Sequence, residues 1–430
     1  MRPDGRELSR HRAVRHGAGA VAVGVSGGVD SAVAALLLRD AGYRVHAVFL
    51  RLWPGDDPRS CCSPSVEARA REVARRLSVP FSVLDLRAEF ETHVVTPFVD
   101  EYLAGLTPNP CVACNPFRFP ALAAWAAERG VDRVASGHYA RIEEREGQAW
   151  LRRGVDAVKD QSYMLARLPP AVLEALLLPV GEMEKDAVRT VARRAGLPPA
   201  ETAESQEVCF AVDGYRAFLR GRGVAARPGG FVTESGVEIG RHDGHWEFTV
   251  GQRRGLAIGR GEALYVLERR AARNEVVVGP RERLQALQVE VDELDERAVD
   301  IVECLAPGGD RCAPGSAAPA STAAAAGALY GGLLLPDGSR LAVQLRYRSP
   351  AVPVAAVAAA GRRRARLRLA RPFAAAAPGQ AAVLYAGDRV IGGGRIVAAA
   401  TGSAEVGVIP FEGRSPEPAG KLRTHGGQTC

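Results

Sequence analysis

The sequence predicts a mixed α/β protein: an N-terminal doubly wound parallel sheet, a small β-rich central unit and a C-terminal β-barrel. Three observations predict it. Residues 21–210 alternate short apolar runs with amphipathic or Ala/Leu-rich stretches, the rhythm of β-α-β units. Past residue 211 the rhythm gives way to short strands between Gly-rich turns. Residues 282–400 continue as a β pattern with Gly and Pro punctuation, which suits a small barrel.

The elements follow in order. Val21–Val25 (VAVGV) is wholly apolar, as expected of a strand buried on both faces. A Ser/Gly turn follows, then a helix over Ala32–Ala41 that Gly42 stops. Arg44–Trp53 reads as a strand, Glu67–Leu77 as a helix, Phe81–Leu86 as a strand, Phe119–Glu128 as a helix and Val131–Ala135 as a strand ending at Gly137. In the central unit Phe231–Thr233, Glu247–Val250, Leu264–Leu267 and Glu275–Val278 read as strands. The predicted division is an extension over 1–19, a nucleotide-binding unit over 20–210, a central unit over 211–280, a barrel over 281–400 and a flexible tail over 401–430. An Ala/Gly-rich insertion, 306–333, interrupts the barrel.

Composition narrows the function classes. In 430 residues, 47% are hydrophobic and 24% charged, which is ordinary for globular domains. No apolar run approaches the roughly 20 residues that span a bilayer, so no membrane partner is expected. The Arg-rich N-terminus lacks the apolar stretch of a secretory signal, so the expected location is cytoplasmic. Asp4 and Glu7 argue against an organellar leader but leave that alternative standing. The net charge of +7 suits a polyanionic partner. Eight cysteines in a long chain without a secretory signal point to reduced thiols, a metal site or catalysis, not to a disulfide scaffold.

Ser26-Gly27-Gly28-Val29-Asp30-Ser31 joins the first strand to the first helix. Its glycines let the backbone approach an anion, and the hydroxyls and helix N-terminal amides can donate to phosphate oxygens. The Walker pattern GxxxxGK[ST] does not occur, so γ-phosphoryl transfer is not the natural chemistry. The hexapeptide resembles the pyrophosphate-binding loop of ATP pyrophosphatases, which implies cleavage between the α and β phosphates and adenylation of a substrate. Cys111-Val112-Ala113-Cys114 follows Thr107-Pro108-Asn109-Pro110, and the prolines place the pair in a loop ahead of the Phe119 helix. A third cysteine, Cys209, lies in Glu204–Phe210. A Cys-x-x-Cys pair can chelate a metal or relay sulfur, and no fourth cysteine has spacing suited to structural zinc. Cys61 and Cys62 read as loop residues near the nucleotide; Cys304, Cys312 and Cys430 fall in or beside low-complexity sequence.

Taken together, Gly24–Ser31, Thr107–Asn115, Ser136–Arg141, Lys159–Leu165, Glu204–Phe210, Gly251–Leu256 (GQRRGL), Arg346–Arg348 and Pro378–Tyr385 resemble the segments of the tRNA-specific 2-thiouridylase family, in its order, over roughly residues 20–400. The resemblance implies an N-terminal fold like the adenine nucleotide alpha hydrolases. It implies ATP-dependent 2-thiolation of the wobble uridine of lysine, glutamate and glutamine tRNAs, with ATP, Mg²⁺, tRNA and a sulfur-donor protein or sulfur relay as cofactors and partners. Residue by residue, Gly24, Val25, Ser26, Gly27, Gly28, Val29, Asp30 and Ser31 would hold ATP phosphates, Leu50 the adenine, and Gly137 the nucleotide site. Asn109, Pro110 and Cys111 would border the target base. Cys209 would carry a persulfide and Cys114 would be the other catalytic cysteine, able to form a disulfide with it. His138, Lys159, Asp160, Gln161, Arg346, Tyr347 and Gln380 would contact tRNA.

Cys111 departs from the pattern, since many members of the family have Asp there as an acid–base group. A thiol moves protons only with a lowered pKa. Cys111, Cys114 and Cys209 also resemble the three ligands of [4Fe–4S] sites in related thiolation enzymes, which leave one iron open. The persulfide relay and the cluster are two readings of the same three residues. Arg364, Arg366 and Arg368 alternate with period two, which suits either a solvated barrel face or a phosphate contact. Another adenylating ATP pyrophosphatase, such as an amidotransferase or an argininosuccinate-type ligase, would share the loop but needs no cysteine pair. A non-catalytic RNA-binding protein would not need the loop intact.

Overall fold

The computed structural model describes residues 19–54, 57, 59–60, 62–145, 147–198, 208–259, 263–306, 332–335 and 337–401. The expectations for the N-terminal extension, most of the Ala/Gly-rich insertion, the tail, Glu204–Glu207, Cys61, Cys312 and Cys430 lie outside the described residues.

The first sheet is built from β1 (Ala20–Gly24), β2 (Arg44–Arg51), β3 (Phe81–Asp85), β4 (Arg133–Ala135) and β7 (Leu176–Leu177), in the order β3-β2-β1-β4-β7. Every pairing in it is parallel. The chain winds outward from β1 to β3, then crosses to the other side at β4. The switch point therefore lies between β1 and β4, where doubly wound sheets bind ligands beyond the strand ends. Val21, Ala22 and Val23 are fully buried, as the apolar run demands.

Helix α1 (Val29–Asp40) covers one face of this sheet, with Leu38 buried, and helix α2 (Pro64–Leu77) flanks it through Val66, Val73 and Leu77. Helix α3 (Pro110–Ala127) covers the other face through Val112, Phe119, Leu122 and Trp125. The Cys-x-x-Cys pair thus lies in the first two turns of α3 and not in a loop before it. Pro110 stands at the helix start, where a missing N–H costs nothing, and Asn109 caps it by accepting from the Cys111 N–H at 3.1 Å. Pro116 and Pro120 sit inside the helix. Burial of the flanking apolar face offsets the backbone bonds they remove.

The central unit is a four-stranded sheet, β10-β11-β8-β9, of β8 (Gly229–Val232), β9 (Glu238–His242), β10 (Tyr265–Arg270) and β11 (Glu275–Gly279). Glu247–Val250 is not a strand; a 3₁₀ turn spans His245–Glu247, with Trp246 buried beneath it. Sequence periodicity did not reveal β9.

The barrel closes in the order β12 (Gln285–Asp292), β15 (Arg364–Ala374), β14 (Val352–Gly361), β13 (Leu341–Gln344), β16 (Ala381–Ala386), β17 (Arg389–Ala400), with β17 pairing back to β12. A helix, Glu296–Leu305, interrupts the expected run of strands. The hairpin β5 (Ala140–Arg145) and β6 (Gln148–Arg153) leaves the first unit and extends the barrel sheet, with Arg152 opposite Arg389. Asp388 accepts from Arg152 and Arg141, each at 2.7 Å, across that junction. Arg366 and Arg368 are exposed while Ala365, Leu367 and Leu369 are buried, as the period of two requires. Arg364 is held by Asp292 at 2.7 Å. No helix among the described residues is long and apolar enough to cross a membrane.

Candidate active site

Beyond the carboxyl ends of β1 and β4 lies a cavity of about 350 Å³. The loop after β1 forms one wall. Ser31 Oγ accepts from Ser26 N at 3.1 Å and donates to Gly28 O at 3.1 Å, folding the loop onto the first turn of α1. Gly27 has φ +70, and a Cβ there would meet Val66 O at 2.6 Å, so glycine is required. A Cβ on Gly137 would meet Asp30 C and Ser31 N at 2.4 Å, so the segment after β4 abuts this turn directly. Gly24, Val25, Ser26, Gly28, Asp30, Ser31, Leu50 and Gly137 line the cavity, whereas Gly27 and Val29 stand behind it.

Asp30 is engaged within the protein. Lys185, which is 6% exposed, donates from Nζ to both its oxygens at 2.7 and 2.8 Å, and Tyr139 OH donates at 2.7 Å.

Cys111, Cys114 and Cys209 line the opposite wall, with Cys62 beside them. No disulfide joins these cysteines. Cys209 is placed by its neighbour Phe210, which wedges among Phe98 (5.1 Å), Phe218 (5.0 Å), Phe90 (5.7 Å) and Trp53 (5.8 Å). Cys111 is exposed, on the cavity wall among partly buried neighbours. Burial pushes its thiol up to about 11, with Cys209 adding to the rise and Arg118 opposing it. Burial pushes Cys114 up to about 12; Arg118 opposes this, and Cys209, Cys111 and Cys62 add to it. Both are protonated thiols at neutral pH. Among the described residues no group of three or more His, Cys, Asp or Glu is arranged to hold a metal ion.

Arg118 emerges only from the structure. Its Nε donates to Asn115 Oδ1 at 2.9 Å and its Nη2 reaches His138 Nε2 at 2.9 Å; Asn115 Nδ2 in turn donates to Met164 O at 2.7 Å. His138 Nδ1 meets Ser136 Oγ at 2.8 Å. A guanidinium only donates, so Nε2 accepts and the imidazole is neutral with its proton on Nδ1. Burial, then Arg118, pushes His138 down to about 3. Among the described residues lining the cavity, Arg118 is the one Lys or Arg. The signal in sequence was its position four residues past Cys114, one helical turn along the same face.

The residues expected at tRNA separate into two sets. His138 and Gln161 line the cavity, and Gln161 Oε1 accepts from Tyr139 N at 3.0 Å. Asp160 is taken up by Arg153 at 2.7 Å and by Ser162 Oγ at 2.9 Å, so its carboxylate is a structural hub. Gln380 Nε2 donates to Thr107 O at 2.7 Å. Arg346 is exposed, Lys159 and Tyr347 half-buried, and none of these lines the cavity. Pro110 and Cys111 border the cavity directly, while Asn109 acts from behind as the cap of α3.

Residues 19–213 match the family described as tRNA methyl transferase HUP domain, residues 216–280 the tRNA methyl transferase PRC-barrel domain, and residues 336–396 the aminomethyltransferase beta-barrel domain. The chain is 41% identical over 383 residues to the tRNA-specific 2-thiouridylase MnmA of Acidithiobacillus ferrooxidans, covering 87% of this chain and 97% of that protein. It is 42% identical over 384 residues to the tRNA-specific 2-thiouridylase MnmA of Chloroflexus aggregans, covering 87% and 98%. A Ser/Gly loop, three thiols and a half-buried cation facing one cavity agree with that likeness, and the chain belongs to the tRNA-specific 2-thiouridylase (MnmA) family of tRNA sulfurtransferases.

Proposed function

We propose that this protein 2-thiolates the wobble uridine of lysine, glutamate and glutamine tRNAs in the cytoplasm, through an adenylated uridine and a persulfide on Cys209. The observation that carries this reading is the single cavity shared by the Ser26–Ser31 loop and the three cysteines. In the first step O2 of uridine attacks the α-phosphorus of Mg²⁺-bound ATP and pyrophosphate leaves. Gly24–Ser31 holds the phosphates and Leu50 packs on the adenine. In the second step the terminal sulfur of Cys209–S–SH attacks C2, and AMP departs with the oxygen. Cys114 then attacks Sγ of Cys209, which frees 2-thiouridine and leaves a Cys114–Cys209 disulfide. The two thiols thereby supply the two electrons that convert sulfane sulfur to the thione. A dithiol reductant and a persulfide-bearing sulfur donor reset the enzyme.

The target base must leave its stack, at about a few kcal/mol. Contacts from Lys159, Arg346 and Tyr347 to the tRNA backbone offset that cost and weaken with salt. Cys111 remains a thiol, so it is not a resting general base; on this reading it borders the base as a weak donor. ATP–pyrophosphate exchange with and without tRNA tests the proposal. Exchange that requires tRNA, with AMP and 2-thiouridine formed in equal amounts, is the expected result. Exchange that proceeds equally without tRNA, or AMP without 2-thiouridine in the presence of a persulfide donor, contradicts it.

A further inference from the structure

The segment that leads into the catalytic turn, Gly105–Asn109, is held from both accessory units. From the central sheet, Arg269 on β10 donates through Nη2 to Leu106 O and to Thr107 Oγ1, the latter at 3.0 Å. Arg269 is 3% exposed and its Nε and Nη1 have no partner. Its guanidinium stands 5.5 Å from the ring of Tyr102, which stacks on Tyr215 at 4.6 Å. From the barrel, Pro378 O accepts from Thr107 N at 2.8 Å and Gln380 Nε2 donates to Thr107 O at 2.7 Å. The contacts leave no room for side chains. A Cβ on Gly379 would meet Thr107 N at 2.7 Å, and one on Gly105, at φ +84, would meet Arg269 O at 3.0 Å. Two residues beyond Thr107, Asn109 caps α3 on the Cys111 N–H.

A buried guanidinium that uses one of its three nitrogens is a poor source of stability, because burial opposes its charge. What it provides is position, since one buried nitrogen, Nη2, reaches acceptors on two adjacent residues at once. We propose that Arg269 and Gln380 are positioning residues: one from each accessory unit, they fix Leu106–Thr107 and so set where Cys111 and Cys114 stand against the nucleotide loop. The units that face tRNA therefore also hold the catalytic turn, and Gln380 acts inward on Thr107. This inference rests on the sulfur-transfer reading for its kinetic consequence but not for its geometry.

The test uses Arg269→Lys, which keeps the charge but shortens the arm that carries the donor to Leu106 and Thr107, and Gln380→Leu. Thiolation kcat is expected to fall about tenfold to a hundredfold in each, as for a small misplacement of reacting groups. KM for tRNA should change less than about threefold, and tRNA-dependent pyrophosphate exchange should stay near wild type, because the nucleotide loop is untouched. The double variant should lose less than the product of the single losses, since both act on one segment. Independently of activity, the rate at which a neutral reagent alkylates Cys111 should shift in each variant at unchanged melting temperature. The proposal is overturned if Gln380→Leu raises KM with kcat retained, if exchange and thiolation fall together, or if Cys111 alkylation is unmoved. A wild-type protein that lacks exchange would refute the sulfur-transfer reading instead, and the alkylation readout would still judge the clamp.

Discussion

Arg118 donates to His138 at 2.9 Å, which binds a cation to a neutral imidazole on the wall of the cavity. Arg118 lines the same cavity as the Ser26–Ser31 loop and the thiols, so on the proposed mechanism it would offset phosphate charge during adenylation and favour thiolate during sulfur transfer. Arg118→Leu is expected to slow both AMP release and thiolation by about a hundredfold or more, the cost of losing a preorganised charge. Arg118→Lys should recover part of both. Because His138 is pushed down to about 3, the pH–rate profile should show no limb near 6.5. Single-turnover assays across pH check this; full activity of the leucine variant would refute the role.

Asp30 has a second task beside the one its motif implies. Lys185 and Tyr139 hold its carboxylate, so Asp30→Ala removes the anion to which the buried Lys185 ammonium donates twice. The variant should lose about 2–3 kcal/mol of stability, less than for a fully buried pair because Asp30 is partly exposed. Asp30→Ala combined with Lys185→Met should regain stability without regaining AMP formation. Urea denaturation of the three proteins measures this. A single variant as stable as wild type would show that the pair is dispensable to the fold.

With Cys111 near 11 and Cys114 near 12, the resting thiols resist ionisation because burial penalises the thiolate. Alkylation of the ligand-free enzyme at these two residues should be slow at pH 7. It should quicken about tenfold per pH unit toward pH 10. Arg118→Leu should slow it further, since Arg118 opposes the rise in both. Peptide mapping after timed iodoacetamide treatment reads out each residue. Rapid labelling at pH 7 that does not depend on pH would contradict the account.

Glu101 meets Arg395 at 3.3 Å where the catalytic unit touches the barrel, with Glu293 and Arg167 completing the cluster. Burial pushes its carboxyl up to about 7, and Glu293 adds to the rise while Arg395 and Arg167 oppose it. A carboxyl with a raised folded-state pKa stabilises most below its unfolded value, near 4.5, and loses that contribution as pH rises through about 7. Glu101→Gln should flatten the fall in melting temperature across that window. Thermal melts from pH 5 to pH 8 decide it; an unchanged slope in the variant would remove Glu101 as the cause.

Much of this site is legible in the residues. Val21–Val25 announces a buried strand and the glycines after it a strand-to-helix turn, and the strand Ala20–Gly24 and the helix from Val29 stand on either side of that turn. The Cys-x-x-Cys pair is plain in sequence, but its setting is not. Prolines argue for a loop by local rules, whereas a proline at the helix start and burial of the α3 face let the helix begin at Pro110. Residues whose partners are distant in sequence stay hidden for the same reason. Lys185 is 155 residues from Asp30 and Arg269 is 162 from Thr107, and only the folded chain brings them together. The β5–β6 hairpin looks like part of the first unit until its pairing with β17 shows that it extends the barrel sheet.

The most direct test of the account is the sulfur itself. The enzyme is loaded with a low-molecular-weight persulfide, freed of excess donor, and mixed with ATP and unmodified tRNA for one turnover. The account predicts one additional sulfur atom on the Cys209 peptide before mixing. After mixing it predicts an equal amount of 2-thiouridine, a Cys114–Cys209 disulfide, and no product from Cys209→Ser. A Cys209→Ser protein that still makes 2-thiouridine, or loaded sulfur that never reaches the wobble base, would contradict it.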